Sequence, residues 1–123
     1  MRRIFLPTAL ALLGVASAAQ AHPKLVSASP AANATAAKPG RVALRFSEKL
    51  MPKFSGADLV MTGHGGASHV PMKVTATAAV AGDGSTLVLT PKAPLVPGRY
   101  TVAWHVVSSD THRVAGNYAF AVK

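Results

Sequence analysis

The regular spacing of turn-forming residues most strongly constrains what this chain can fold into. From Ser29 onward, proline, glycine, asparagine or aspartate recurs about every ten residues, and the segments between them are rich in valine, threonine, leucine and aromatic residues. Such a pattern is typical of an all-β sandwich, because each segment has the length of one strand. We predict about seven strands, near residues 24–29, 41–47, 57–62, 72–79, 85–90, 98–107 and 115–122.

Alternation within three of these segments predicts the core. Every second residue is large and apolar, so these side chains share one face of their strand and face the opposite sheet. The predicted core residues are Val42, Leu44, Phe46, Tyr100, Val102, Trp104, Val106, Tyr118, Phe120 and Val122.

The first 21 residues have the pattern of a cleavable signal peptide. Basic Arg2 and Arg3 precede an apolar run over residues 4–18, and Ala19-Gln20-Ala21 follows as a cleavage site. The run is too short for a comfortable membrane span. We therefore expect an exported protein whose mature form, residues 22–123, is one monomeric domain beginning at His22.

Charge and cysteine content exclude several functions. Without Arg2 and Arg3, 11 of the 13 basic residues remain against four acidic ones, but they form no run, and we assign no nucleic-acid role. The absence of cysteine excludes disulfides, thiolate metal sites and cysteine catalysis. We find no catalytic pair or nucleophile with its base, and we predict no enzyme activity.

His22 is the first candidate metal ligand. As an N-terminal residue it offers an imidazole and an α-amine, and the amine can lose its proton to a metal near neutral pH. Pro23 has no amide proton, so the next peptide nitrogen cannot bind and further ligands must come from elsewhere. The alternative is a frayed, incidental chain end.

Asp110 and His112 are the next candidates. In an extended segment, residues two apart point to the same side, so this carboxylate and imidazole can address one ion. Taken alone the pair is equally well explained as a turn cap or solvated surface. Together with His22, three nitrogens and one oxygen suit tetragonal Cu(II), with Zn(II) the weaker competitor.

A glycine-rich loop supplies a second candidate site. Met61, His64, His69 and Met72 lie in this loop and its flanks, and thioether with imidazole suits Cu(I). The alternative, which the residues favour slightly, is that the methionines pack in the core and the histidines are solvated.

Four segments resemble the CopC family of periplasmic copper-resistance proteins. They are the start at residues 22–30, Leu44 to Glu48, Phe54 to Ala57, and the run from Trp104 to His112, and the likeness extends over essentially the whole mature chain.

The resemblance implies an Ig-like, cupredoxin-related Greek-key sandwich in the periplasm. It implies that His22, Asp110 and His112 bind Cu(II), with delivery to a CopD-type membrane copper transporter. Some members carry a methionine-rich Cu(I) site in the loop; here Met61, His69 and Met72 match, whereas His64 and Ala67 depart from that pattern.

Three functions therefore stand at this point. The first is a Cu(II) carrier or buffer for copper resistance. The second is an oxidative copper enzyme acting on polysaccharide, which would also use an N-terminal histidine. The third is a metal-free Ig-like interaction module, in which the placement of His22, Asp110 and His112 is coincidental.

Overall fold

The computed structural model describes residues 22–123, which form nine strands and one short 3-10 helix at Pro52–Phe54. The predicted signal peptide, residues 1–21, lies outside the described residues. In the described part, no helix is long and apolar enough to cross a membrane. The strands are β1 Leu25–Ser29, β2 Thr35–Ala36, β3 Val42–Phe46, β4 Gly56–His64, β5 Ala67–Val74, β6 Ala76–Val80, β7 Thr86–Pro91, β8 Gly98–Val107 and β9 Arg113–Val122.

The strands form two sheets. One has four strands in the order β1-β3-β7-β6, and the other has five in the order β2-β9-β8-β4-β5. All pairings are antiparallel except that of the two-residue β2 with β9. The predicted all-β Greek-key sandwich is confirmed, with nine strands rather than about seven.

The core lies between the two sheets and contains the predicted alternating residues. Of the ten, nine are buried, and Tyr118 is half-buried where its hydroxyl donates to the Pro30 carbonyl at 2.9 Å. Phe46 from one sheet meets Trp104 from the other edge-on, with ring centroids 5.1 Å apart. Burial of this apolar surface is the main stabilising term in a chain that has no cysteine.

The single strand predicted over residues 72–79 is wrong. The chain changes sheets at Thr75, so that β5 pairs with β4 in one sheet and β6 pairs with β7 in the other. The Thr75 carbonyl accepts a hydrogen bond from the Lys92 amide at 2.9 Å, outside either ladder. No proline or glycine marks this switch, which explains why the pattern of turn residues did not indicate it.

Two further differences concern short features. β2 lies between the strands predicted at 24–29 and 41–47 and was not predicted, because two residues paired in parallel leave no alternation to detect. The gap between the strands predicted at 57–62 and 72–79 narrows to Gly65 and Gly66, whose φ angles of 59° and 80° suit glycine in a tight hairpin turn.

Candidate metal centre

His22 is held close to the sandwich by the residues that follow it. The Pro23 side chain is fully buried. The Lys24 amide donates to the Ser47 hydroxyl at 2.9 Å, and the Lys24 carbonyl accepts from the Ser47 amide at the same distance. These contacts fix the direction of the chain before β1, and His22 lies only two residues before the two hydrogen bonds of Lys24.

The turn between β8 and β9 carries Asp110 and His112. The Ser108 amide donates to the His112 carbonyl at 2.9 Å, and the Thr111 amide donates to the Ser108 carbonyl at 2.8 Å. Thr111 has a φ of 75°, a left-handed conformation that costs a β-branched residue free energy. The entry to the turn is anchored by the Ser109 amide, which donates to the Lys49 carbonyl. The turn therefore has a defined shape.

The chain start and this turn meet at one end of the sandwich. The His22 and His112 rings lie 4.8 Å apart, edge to face, and His112 Nδ1 lies 3.0 Å from Asp110 Oδ2. His22 precedes a strand of the four-stranded sheet, whereas the other two residues follow a strand of the five-stranded sheet. The structure thus brings together all three residues proposed from the sequence as Cu(II) ligands.

Asp110 is held as an anion. Its carboxylate accepts hydrogen bonds from the buried Ser108 hydroxyl and pairs with the His112 ring. These contacts, the Ser108 hydroxyl foremost, lower the pKa of Asp110 from 3.8 to about 2. A carboxylate ionised over the whole neutral range is a suitable ligand for a hard or borderline cation.

The three residues are not yet arranged around a common point. Within residues 22–123, no three His, Asp or Glu side chains converge closely enough to hold a metal ion as they stand. Asp110 occupies one His112 ring nitrogen, and the His22 backbone nitrogen is an amide while Ala21 is attached. A metal bound at His112 Nδ1 would have to replace this contact, whereas the His22 nitrogen could act as an amine donor only once the peptide bond to Ala21 is cut.

The four loop candidates are more dispersed. Met61 packs against the core, and its register partner Met72 is 61% exposed at the sheet edge. His64 Nδ1 lies 2.8 Å from the Pro97 carbonyl, and His69 Nδ1 lies 2.7 Å from the Val70 carbonyl. Met61, His64 and His69 line three different depressions, so the second site remains a prediction that the structure does not assemble.

Ser108 is the residue that sequence reasoning missed in this role. Its burial beneath Asp110 depends on the geometry of the turn, which composition and spacing do not reveal. The available signal was its position two residues before Asp110, which puts both side chains on one side of an extended segment.

Comparison with known proteins identifies the family. Residues 25–123 match the CopC domain. Copper resistance protein C of Pseudomonas syringae pv. tomato is 50% identical over 109 residues, covering 89% of this chain and 86% of the relative. Copper resistance protein C of Escherichia coli is 50% identical over 113 residues, covering 91% and 90%.

Solved structures agree with this match. The crystal structure of PcoC, a methionine-rich copper resistance protein from Escherichia coli, superposes with a TM-score of 0.78 at 48% identity, covering 84% of this chain and 100% of that one. CopC from Methylosinus trichosporium OB3b gives a TM-score of 0.67 at 34% identity, covering 83% and 94%. Together with the matched domain and a sandwich of the same architecture, these similarities show that the chain belongs to the CopC family.

Proposed function

We propose that this protein is exported to the periplasm and binds one Cu(II) ion through His22, Asp110 and His112. In this proposal residues 1–21 are a signal peptide, and residues 22–123 are the mature domain. The copper serves resistance, by buffering or by delivery to a CopD-type membrane transporter. The names of the curated relatives describe copper resistance and no catalysis, which supports binding rather than an enzyme reaction.

The observation that carries the proposal is the 4.8 Å separation of the His22 and His112 rings. These residues are 90 positions apart in the chain and come from opposite sheets. Removal of residues 1–21 would add an α-amine to the same place. One amine, two imidazoles and one carboxylate form a donor set of three nitrogens and one oxygen, which suits tetragonal Cu(II) and contains no soft sulfur.

The hydrogen bonds around Asp110 indicate how the ion could enter. Ser108 holds Oδ1 of the carboxylate, whereas Oδ2 contacts His112. An ion placed between Oδ2 and His112 Nδ1 would replace that contact without disturbing Ser108. The carboxylate would then stay oriented by a buried donor, as metal-ligating carboxylates usually are.

The direct test is a titration of the processed protein, residues 22–123, with Cu(II) against a competing chelator. His22→Ala should weaken binding more than about 100-fold, because loss of even an outer hydrogen bond at a metal site costs 10- to 100-fold. The matched control is His105→Ala, which removes an exposed imidazole from the outer face of the five-stranded sheet. Unchanged affinity in His22→Ala, or an equal loss in His105→Ala, would refute the proposal.

For the loop we propose a second, weaker Cu(I) site formed by Met61, His64, His69 and Met72. It is supported by the register that sets the two methionines directly opposite each other on β4 and β5. Replacing both methionines by leucine keeps the apolar volume and removes the thioethers. Competition with a Cu(I) chelator should then show weaker Cu(I) binding and unchanged Cu(II) binding; unchanged Cu(I) binding would exclude the methionines.

A further inference from the structure

A depression on the outer face of the five-stranded sheet has no part in the site described above. It has a volume of about 550 Å³ and is lined by Lys53, Phe54, His105, Arg113 and Ala115 among others. His105 points outward because its neighbours Trp104 and Val106 are buried in the core. We call this feature the basic depression.

The charges of the basic depression are not neutralised. Lys53 and Arg113 have no carboxylate within ion-pairing distance among residues 22–123. None of the four acidic residues lines it: on the same sheet face Asp58 pairs with Lys73 at 3.2 Å, and Asp110 pairs with His112. Two full positive charges and an imidazole therefore converge in a concave surface, which favours an anionic occupant.

The same depression offers apolar contacts. Phe54, the last residue of the 3-10 helix, is 49% exposed although it is a large aromatic side chain. Gly56 lies beside His105, and a Cβ at position 56 would lie only 3.0 Å from the His105 ring. Because glycine has no side chain, this part of the ring stays uncovered. Exposed aromatic residues beside arginine are characteristic of protein interfaces. A concave surface of this size fits a short segment of protein better than the flat surface of a bilayer.

The basic depression adjoins the proposed copper site. Val107 and Arg113 form the last register pair of β8 and β9, and residues 108–112, with Asp110 and His112, connect them. A partner held by Arg113 would thus lie beside the residue next in the chain, His112. Positive charge near this site would also steer an acidic partner toward it.

We propose that the basic depression docks an acidic segment of the protein that exchanges copper with this chain. That the partner exchanges copper with this chain rests on the proposed function, whereas the docking of an acidic segment needs no metal. A negative docking result on metal-free protein can therefore be distinguished from a negative result in the copper titration.

The test is a titration of ¹⁵N-labelled, metal-free residues 22–123 with a blocked hexaglutamate peptide, followed by NMR chemical shifts. Shifts should concentrate at Phe54, His105 and Arg113, and a blocked hexaglutamine peptide should cause none. Changing both Lys53 and Arg113 to serine should weaken the peptide about fivefold, the size expected from two exposed charge contacts.

The matched control is the double change of Lys92 and Lys123 to serine, which removes the same charge from exposed positions outside the depression. The affinity of this control variant for hexaglutamate should stay within about twofold of the wild-type value. Shifts spread evenly over the basic surface, no shifts at all, or equal loss in the control would overturn the proposal. The proposal would also be overturned if vesicles of phosphatidylglycerol, but not hexaglutamate, shifted the resonances of Phe54, His105 and Arg113. The wild-type shifts decide the location even if a variant is poorly folded.

Discussion

Asp110 depends on a hydroxyl group that is almost completely buried. Ser108 is 1% exposed, and its Oγ donates to Oδ1 of the carboxylate. Since Asp110 itself is exposed, water alone would leave its rotamer free. Ser108 thus gives an exposed carboxylate a fixed direction, and lowers its pKa more than any other contact.

Ser108→Ala should raise the pKa of Asp110 from about 2 toward 3.8, and should weaken Cu(II) binding about tenfold, as expected for loss of an outer hydrogen bond at a metal site. NMR titration of the Asp110 carboxyl in metal-free protein measures the first effect, and chelator competition the second. Ser109→Ala is the control, because its exposed hydroxyl contacts only the Lys49 carbonyl. Equal behaviour of the two variants would contradict this role for Ser108.

The types of the candidate ligands could be predicted from sequence because donor chemistry belongs to single residues. His22, Asp110 and His112 were proposed from their nitrogens, their carboxylate and their spacing. The role of Ser108 could not be predicted in the same way. Whether a serine is buried beneath a carboxylate is decided by the turn, including the left-handed Thr111, and no pattern in the sequence signals that conformation.

The pairing of β8 with β9 places Trp104 opposite Gly116. A Cβ at position 116 would lie 2.4 Å from Trp104 Cζ2, and Phe46 packs against the same indole. The ring fills the space that glycine leaves. This close approach explains a glycine in the interior of a strand, where its flexibility is otherwise unfavourable.

Gly116→Ala should therefore destabilise the fold by about 2 kcal/mol, the cost typical of overpacking. For a domain of this size that lowers Tm by about 8 °C or more, measured by thermal unfolding. Gly40→Ala is the control, since nothing lies within 4 Å of a Cβ built there. An unchanged Tm in Gly116→Ala would show that the indole moves freely.

The turn between β6 and β7 is stabilised by Asp83. Its carboxylate accepts from the Thr86 hydroxyl at 2.6 Å and from the Ser85 and Thr86 amides at 2.9 Å each. These bonds, the Thr86 hydroxyl first, lower the pKa of Asp83 below 3.8. A carboxyl with a lowered pKa stabilises the fold above its unfolded pKa, and this contribution is lost as the pH falls through the folded pKa.

Asp83→Ala should therefore lower Tm by a few degrees at pH 7, and by progressively less as the pH falls below 3.8 and the wild-type carboxyl is protonated through its lowered pKa. Thermal unfolding across this pH range measures the difference. Asp58→Ala serves as the control, because its ion pair with Lys73 is largely exposed and contributes little. A Tm difference independent of pH would mean that the ionised carboxylate is not what stabilises the turn.

Most strands were predictable because alternation and turn residues act locally. β8 was predicted at its observed bounds, and β3 within one residue at each end. The prediction of one strand across Thr75 failed because the outcome there depends on distant residues. Whether β5 and β6 continue as one strand or divide between sheets depends on which partners, β4 and β7, are available, and those partners are distant in sequence.

At the scale of the whole molecule, the proposed site exists only because the two sheets pack together. One sheet brings the start of the chain and the other brings the β8–β9 turn. Periodicity predicts that both segments are strands but not that their ends meet. The resemblance to the CopC family supplied that expectation, and the packing of Phe46 on Trp104 between the sheets gives it a physical basis.

We expect removal of residues 1–21 to create the copper site. While Ala21 is attached, the His22 nitrogen is an amide and cannot serve as an amine ligand. Protein comprising residues 21–123 should bind Cu(II) more than about 100-fold more weakly than residues 22–123, since one ligand is lost. Chelator competition on the two forms gives the ratio. Comparable affinities would mean that the α-amine takes no part.

The electron paramagnetic resonance spectrum of residues 22–123 with one equivalent of Cu(II) reports directly which atoms bind the ion. Coordination by His22, Asp110 and His112 should give a single tetragonal species with three nitrogen donors and one oxygen donor, and this species should be lost in His22→Ala and in His112→Ala. A spectrum with a different donor set, or one that both variants leave unchanged, would contradict this coordination.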